Sequence, residues 1–287
     1  MALPKSARAA VKSAAKPVKP AAKPAETAAK PTAKEDRHFI TALARGLEVL
    51  SCFRSGDKLL GNQEIAQRCR LPKSTVSRLT YTLTRLGYLQ HVEESGRYRL
   101  GSATLALGSA MLARLDVRQL ARPLMQELAD FSRGMVSLGT RDRLNMIYVE
   151  NCRSASALTL SLDIGSRIPL AATAMGRAYL AAIPESERAE LLARVRERDP
   201  AAWPAIEAGL EAALRQYREQ GCCSSIGDWQ KDVNAIAVAV RVGGGLPPMA
   251  INCGGPAIML PPEFLMDEVR PRLIDMVQRL EESLGSR

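Results

Sequence analysis

Long apolar segments are absent from this sequence of 287 residues. No hydrophobic run approaches the roughly 18 residues that a membrane-spanning helix needs. The first residues, MALPKSARAA, also lack the apolar centre of a signal peptide. We therefore expect a cytoplasmic protein with no membrane partner.

Histidine is scarce, and the cysteines are scattered. His38 and His91 are the two histidines, so a cysteine nucleophile in the later part of the chain would lack the base that usually activates it. The six cysteines form no CxxC pair and have no histidine at ligand spacing, which argues against a zinc site or a disulfide framework. The neighbouring Cys222 and Cys223 are a candidate redox pair, but burial at alternating strand positions explains them more simply. We expect no catalytic residues, no metal and no cofactor.

Positive charge is unevenly distributed along the chain. Lys and Arg outnumber Asp and Glu by 40 to 30, which gives a formal net charge of +10. Residues 1–35 carry +6, residues 36–100 carry +5 and residues 101–287 carry −1. The first third of the chain should therefore face a polyanion, whereas the rest should not.

Residues 1–36 consist mostly of Ala, Lys and Pro, as in AAKPVKPAAKPAETAAKPTAK. Repeated Lys-Pro steps prevent a continuous helix, and too few apolar side chains are present to form a core. We expect a disordered basic arm. The arm either binds DNA phosphates without regard to sequence or only keeps the chain in solution, and the composition fits both roles.

A different pattern extends from residue 37 to residue 100. In ITALARGLEVLSCF, one helical face carries Leu43, Leu47, Leu50 and Phe53. NQEIAQRC predicts a second helix capped by Asn62, and a third helix follows Pro72. The segment GYLQHVEESGRYRLG predicts strands at 88–92 and 97–100. Three helices followed by a basic hairpin are the layout of a winged helix-turn-helix.

The third predicted helix lies in LPKSTVSRLTYTLTRLGYL, residues 71–89. A single inward stripe is predicted for its apolar positions Val76, Leu79, Leu83 and Leu86. Pro72 suits the first turn, because its missing N–H would have no helical partner there. The other face is small, hydroxylated and positive, as a surface that meets phosphates and base edges requires.

The segments ALARGLEVLSCF, EIAQRCRLPKSTVSRLTYTLTRLGYL and GRYRLG resemble the DNA-binding domain of IclR-type bacterial transcriptional regulators. The resemblance continues to residue 285 through IPLAATAMGRAYLAAIP, QYREQGCCSSIGDWQKDVNAIAVAV and MAINCGGP. The predicted contacts to base edges are Ser74, Thr75, Ser77 and Arg78. The predicted contacts to phosphates are Lys73, Arg97 and Arg99, and Arg45 of the first helix completes the predicted DNA-binding set.

Residues 101–133 are helical by periodicity, with a break expected near Pro123. In the family this region links the domains and pairs with a second subunit, so the resemblance implies a dimer or a dimer of dimers. Further strands are predicted at 135–140, 145–151, 158–162, 222–227, 233–242 and 249–254, and helices at 173–182, 185–197, 202–220 and 261–284. This order predicts an α+β fold with an antiparallel sheet. The resemblance implies that it is a GAF-like effector-binding domain.

The predicted helix in ATAMGRAYL begins with small residues, which leaves its first amide N–H groups open to a carboxylate. The resemblance implies that the amides of Ala174 and Met175 hold such a group. It also implies that four strand positions face the ligand, namely Ser225, Ala235, Asn252 and Gly254. They replace an acidic residue, a cysteine and two serines of small-acid-binding members. The smaller, less hydroxylated walls predict a bulkier and less polar ligand, such as an aromatic acid.

The sequence thus predicts two α+β domains joined by helices. The predicted parts are a disordered arm (1–36), a winged helix-turn-helix (37–100), linker and dimerisation helices (101–133) and an effector-binding domain (134–287). The predicted function is transcriptional regulation through double-stranded operator DNA, controlled by a small organic acid. One alternative is a nucleoid-type architectural protein that coats DNA through its arm, and another is an enzyme with a DNA-binding appendage. The near-neutral second domain disfavours the first alternative, and the scarcity of histidine disfavours the second.

Overall fold

The computed structural model describes residues 38–54, 56–112, 116–154, 162–243 and 246–285. The predicted basic arm and residues 158–161 of one predicted strand lie outside the described residues. Within the described ranges, no helix is long and apolar enough to cross a membrane.

Three helices and a hairpin form the N-terminal described part of the chain, as the sequence predicts. The elements are α1 (Thr41–Ser51), α2 (Asn62–Cys69), α3 (Lys73–Arg85), β1 (Leu89–Val92) and β2 (Arg97–Leu100). The hairpin strands are antiparallel, with Leu89 opposite Leu100 and Val92 opposite Arg97. A small core of apolar side chains from all three helices and the hairpin holds these elements together.

The C-terminal part combines one large sheet with helices on both faces. Its elements are α4 (Ser102–Leu112), α5 (Asp116–Ser132), β3 (Met135–Asp142), β4 (Asn145–Arg153), β5 (Arg167–Pro169), α6 (Ala174–Ala182), α7 (Glu185–Arg198), α8 (Trp203–Gln220), β6 (Cys223–Ile226), β7 (Val233–Val240), β8 (Met249–Pro256), α9 (Pro262–Phe264), a π-helical turn (Leu265–Val269) and α10 (Arg270–Gly285). The six strands lie in the order β5-β4-β3-β8-β7-β6, and every neighbouring pair is antiparallel. The predicted antiparallel α+β architecture is therefore correct.

The sheet separates two hydrophobic cores, because successive side chains of a strand point to opposite faces. Val136 and Leu138 of β3 face the core that α5 and α10 cover. Met135 faces the other core, to which α6, α7 and α8 contribute. The site described below lies on this second face.

Several expected positions differ in the structure. Leu43, Leu47 and Leu86 are exposed, and the buried residue of α1 is Val49. Periodicity identifies residues that share a helix face, but it does not show whether another element covers that face. Asn62 is the first residue of α2 and not its cap, since Gly61 takes the cap position.

The two helices in residues 101–133 have different environments. No residue of α4 is buried, and its Leu105 and Leu107 are 71% and 61% exposed. By contrast, α5 packs one side onto the sheet, with Ala121 and Met125 fully buried. Pro123 lies on the exposed side of α5 and does not interrupt the helix, so the predicted break there is wrong.

Candidate functional site

The exposed face of α3 is positioned by its packing on α2. Val76 and Leu83 are buried in the small core. Asn62 at the start of α2 donates from Nδ2 to Ser77 Oγ (3.4 Å) and accepts at Oδ1 from Thr80 Oγ1 (3.3 Å). This asparagine therefore links α2 to α3 directly, a role that the sequence pattern did not indicate.

Six of the predicted DNA-binding residues lie on or beside this exposed face. Lys73, Ser74, Ser77 and Arg78 are exposed, and Thr75 is half-buried. Arg45 of α1 borders the same surface hollow as Thr75 and Arg78. The face is accordingly positive and hydroxylated at the N-terminal end of α3. We call these six residues the α3 face.

The two hairpin arginines have different surroundings. Arg99 is exposed and donates from Nε to Gln90 Oε1 (3.0 Å). Arg97 forms an ion pair with Glu64 of α2, and the same carboxylate oxygen accepts a hydrogen bond from the amide of Gly61 (2.8 Å). These two hydrogen bonds, that of Gly61 first, lower the pKa of Glu64. In this structure Arg97 therefore ties the hairpin to α2, whereas Arg99 projects into solvent.

All six predicted effector-binding positions line one cavity beside α6. The lining consists of Met135, Tyr148, Ile168, Thr173, Ala174, Met175, Ser225, Trp229, Val233, Ala235, Asn252 and Gly254. We call this space the α6 cavity. Its free volume is about 20 Å³, which is room for roughly one water molecule.

The start of α6 presents free amides to this cavity. Thr173 caps the helix, since its Oγ1 accepts from the amide of Gly176 (3.3 Å) and donates to Pro169 O (2.8 Å). Among the described hydrogen bonds, none involves the amides of Ala174 and Met175, the first two of the helix. A helix N-terminus with unpaired N–H groups is a favourable environment for an anion.

Asn252 provides the second polar feature of the cavity. It is 5% exposed, and its Oδ1 has no hydrogen-bond partner within the described part of the chain. Tyr148 lies next to it, and burial raises the pKa of Tyr148 to about 12, although side-chain hydrogen bonding with Asn252 and Ser137 opposes the increase. The phenol therefore stays protonated at neutral pH. An unpaired buried acceptor is costly, so Oδ1 favours a ligand that donates a hydrogen bond.

The remaining predicted positions shape the wall of the cavity. Ser225 donates from Oγ to Ala172 O (3.1 Å) and so fixes the chain just before α6. Ala235 and Gly254 are directly opposed on neighbouring strands, and a Cβ at position 254 would lie 2.8 Å from that of Ala235. Gly254 is thus required by strand packing and adds no spare room.

Sequence reasoning missed the large side chains that line the cavity, above all Trp229 and Tyr148. Trp229 belongs to the loop between β6 and β7, where no periodic pattern marks a residue as inward-facing. Tyr148 occupies a regular position in a predicted strand, but the pattern does not show that its hydroxyl meets Asn252.

The cysteines offer no activated thiol in this domain. Cys222 and Cys223 are fully buried, and burial raises the pKa of Cys222 to about 11 and that of Cys223 further. Reactive cysteines have lowered pKa values, so these thiols fit a packing role. No group of three or more His, Cys, Asp or Glu side chains among the described residues is arranged to hold a metal ion.

The fold and these sites define a DNA-binding transcriptional regulator with a separate sheet domain. Residues 42–93 match the IclR helix-turn-helix domain, and residues 109–282 match the bacterial transcriptional regulator IclR C-terminal domain. The chain therefore belongs to the IclR family of bacterial transcriptional regulators, which confirms the predicted family and regulatory function.

Individual relatives agree with this assignment. The chain is 34% identical over 247 residues to the HTH-type transcriptional regulator TsaQ1/TsaQ2 of Comamonas testosteroni, covering 85% of this chain and 88% of that protein. An IclR family transcriptional regulator from Brucella abortus is 48% identical, with a TM-score of 0.76 over 89% of this chain and 96% of that one.

An IclR homolog from Microbacterium hydrocarbonoxydans, complexed with 4-hydroxybenzoate, shares the fold. Its TM-score is 0.68 at 24% identity, and the match covers 86% of this chain and all of that chain.

Proposed function

We propose that this regulator binds a double-stranded operator through the α3 face and the hairpin, and that a hydroxylated aromatic acid in the α6 cavity controls that binding. The observation that carries the ligand assignment is the pairing, in one cavity, of two free amides and an unpaired amide oxygen. We assign the protein no catalytic role. As a regulator that binds bacterial DNA, it is proposed to act in the cytoplasm.

The two polar features fit opposite ends of one small molecule. The amides of Ala174 and Met175 suit a carboxylate, and Asn252 Oδ1 suits a hydroxyl that donates to it. The rest of the lining is largely apolar and includes Met135, Ile168 and Val233. The 4-hydroxybenzoate bound to the Microbacterium homolog carries both groups on an aromatic ring.

On the DNA side, we propose that Ser74, Thr75, Ser77 and Arg78 contact base edges. We propose that Lys73, Arg45 and Arg99 contact phosphates, where they would add affinity without selecting a sequence. Arg97 acts on DNA mainly by holding the hairpin against α2, because its guanidinium is already paired with Glu64.

We further propose that the protein works as a dimer or a dimer of dimers and that α4 supplies pairing surface. A single helix in the major groove reads only a few base pairs, so operator selection needs two half-sites. The apolar side chains that α4 exposes are suited to burial against a second copy.

A ligand changes DNA affinity only when it binds the DNA-competent and incompetent arrangements unequally. Asn252→Leu should abolish the effect of 4-hydroxybenzoate on operator binding and the ligand's thermal stabilisation of the protein. Operator affinity without ligand should stay within about twofold of the wild type, because Asn252 lies in the sheet domain and leucine has a similar volume.

The measurement uses an operator selected from random duplexes by the full-length protein. Asn145→Leu is the matched control, since Asn145 begins β4 and lies outside the α6 cavity. A full ligand response in Asn252→Leu would contradict the assignment. Stabilisation of the wild type by benzoate equal to that by 4-hydroxybenzoate would contradict the hydroxyl contact.

A further inference from the structure

Trp229 is the largest side chain on the wall of the α6 cavity. It is half-buried and packs on the core beneath α6. It lies in the loop of residues 227–232, which joins β6 to β7. The ends of this loop are fixed by hydrogen bonds from Gly227 N to Val233 O (3.1 Å) and from Ala257 N to Asp232 O (2.8 Å). A third bond, from Val233 N to Gln230 O (3.0 Å), lies within the loop, but no described backbone hydrogen bond involves Trp229 itself.

Arg177 of α6 provides such a contact through the neighbouring Asp228. Although it is a cation, Arg177 is only 3% exposed. Its Nη1 donates to Asp228 Oδ2 (2.6 Å) and to Ser224 O (2.8 Å). Its Nε donates to Ala171 O (3.2 Å), two residues before the cap of α6. One guanidinium therefore holds the loop, strand β6 and the chain that leads into the free amides.

The space for this guanidinium depends on α8. A side chain at Gly209 would overlap Arg177 Nη2, so glycine at this position lets the two helices enclose the charge. A buried arginine with one ionised partner is destabilising when that partner is removed. The Asp228 carboxylate is therefore tied to α6, and Trp229 is the next residue along the chain.

We propose that Trp229 determines the size of the ligand in the α6 cavity and that Arg177 and Asp228 are positioning residues that hold it there. This inference rests on the proposed function for its ligand. With Trp229 in place the free volume is about 20 Å³, which is too small for an aromatic ring, so a lining side chain must move to admit one. In this proposal that side chain is Trp229, because it lies in a loop whereas most of the other lining residues lie in strands or in α6. The ion pair then sets how far the indole withdraws.

The first test follows Trp229 alone and needs no ligand. The sequence has two tryptophans, so Trp203→Phe leaves Trp229 as the reporter. In that background, Asp228→Asn should increase quenching of the indole by acrylamide and shift its emission to longer wavelength. Asp228→Glu keeps the charge and should restore the protected state.

Asp232→Asn is the matched control for the first test. It removes the same charge from the same loop, but Asp232 makes no described side-chain contact with Arg177. Equal quenching in the Asp228→Asn and Asp232→Asn proteins would overturn the positioning role of the ion pair.

The second test measures ligand size by thermal stabilisation and by titration of the full-length protein. The probes are 4-hydroxybenzoate and the two-ring acid 6-hydroxy-2-naphthoate. The wild type should prefer the smaller acid, and Trp229→Ala should move the ratio of the two Kd values toward the larger acid by about tenfold or more. Trp229→Phe should give an intermediate ratio.

The outcomes separate the inference from the proposed function. An unchanged ratio in Trp229→Ala, with both acids still bound, would overturn the role of Trp229 while leaving the proposed ligand class intact. Failure of both acids to bind the wild type and Trp229→Ala would overturn the proposed ligand class and with it the size role. The quenching comparison would still decide the role of Arg177 and Asp228.

Discussion

At the scale of single residues, Glu64 shows how a residue outside the α3 face influences the DNA-binding surface. Its carboxylate receives the amide of Gly61 and the guanidinium of Arg97. The pair joins the start of α2 to the hairpin, which two backbone hydrogen bonds between Leu60 and Tyr98 also hold. A hairpin arginine that sequence alone assigns to phosphate thus has a partner within the protein.

Arg78→Ala should reduce discrimination between the selected operator and single-base variants. The expected loss is about 1–3 kcal/mol at one base pair, because an arginine contact to a base edge is sequence-specific. Arg99→Ala is the comparison, since it also removes an exposed arginine but should weaken all sequences alike. Fluorescence anisotropy across a panel of variant duplexes measures both effects, and identical profiles for the two proteins would refute the division of roles.

At the scale of elements, α4 and α5 are adjacent in sequence but have different roles in the fold. The apolar residues of α5 form one stripe that covers the sheet. Those of α4 are distributed around the helix, and none is buried. A helix that is apolar on all sides requires a covering partner. Within residues 101–133 we therefore propose α4, and not the sheet-packed side of α5, as the pairing surface.

Replacing Leu105 and Leu107 with glutamine should weaken self-association. Each leucine contributes roughly 1.5–3 kcal/mol when it becomes fully buried, so the double variant should dissociate at concentrations where the wild type remains paired. Light scattering over a dilution series measures the mass. The matched control replaces Leu246 and Ile258, which are also exposed but lie in turns outside α4. A wild type that is monomeric yet binds operator would overturn the proposal.

At the scale of the whole molecule, positive charge is concentrated in residues 1–35, the predicted basic arm. Deleting residues 1–35 removes +6 of charge and should make operator affinity less dependent on salt, because fewer counterions are released on binding. The preference for operator over other DNA should persist. Titrations at several salt concentrations measure the slope.

A second variant separates charge from length. Replacing the eight Lys and Arg residues of the arm with glutamine keeps the length and should reproduce the shallower slope. A slope unchanged by either variant would limit the arm to keeping the chain in solution.

Most helices and strands, and six of the positions that line the α6 cavity, could be predicted from the sequence. Small residues before α6 and alternating residues in β7 and β8 carry local signals, and the resemblance to the family placed Ala235 and Asn252 on the same wall. The contact between Arg177 and Asp228 joins residues 51 positions apart, and no local pattern encodes it. Similarly, Leu43 and Leu86 satisfy a helical period but remain 59% and 61% exposed.

The two faces of the sheet also affect how the ligand preference of such a regulator can change during evolution. Along β8, Ile251 and Cys253 pack toward α5 and α10, while Asn252 and Gly254 line the α6 cavity. A substitution at Asn252 changes the cavity side without altering the side chains of the opposite core, whereas Gly254 is fixed by its close approach to Ala235. Alternating residues of β8 thus serve two purposes: one set lines the α6 cavity, and the other set packs in the core under α5 and α10. New ligand preferences can evolve on this scaffold without rebuilding the surface that the outer helices stabilise.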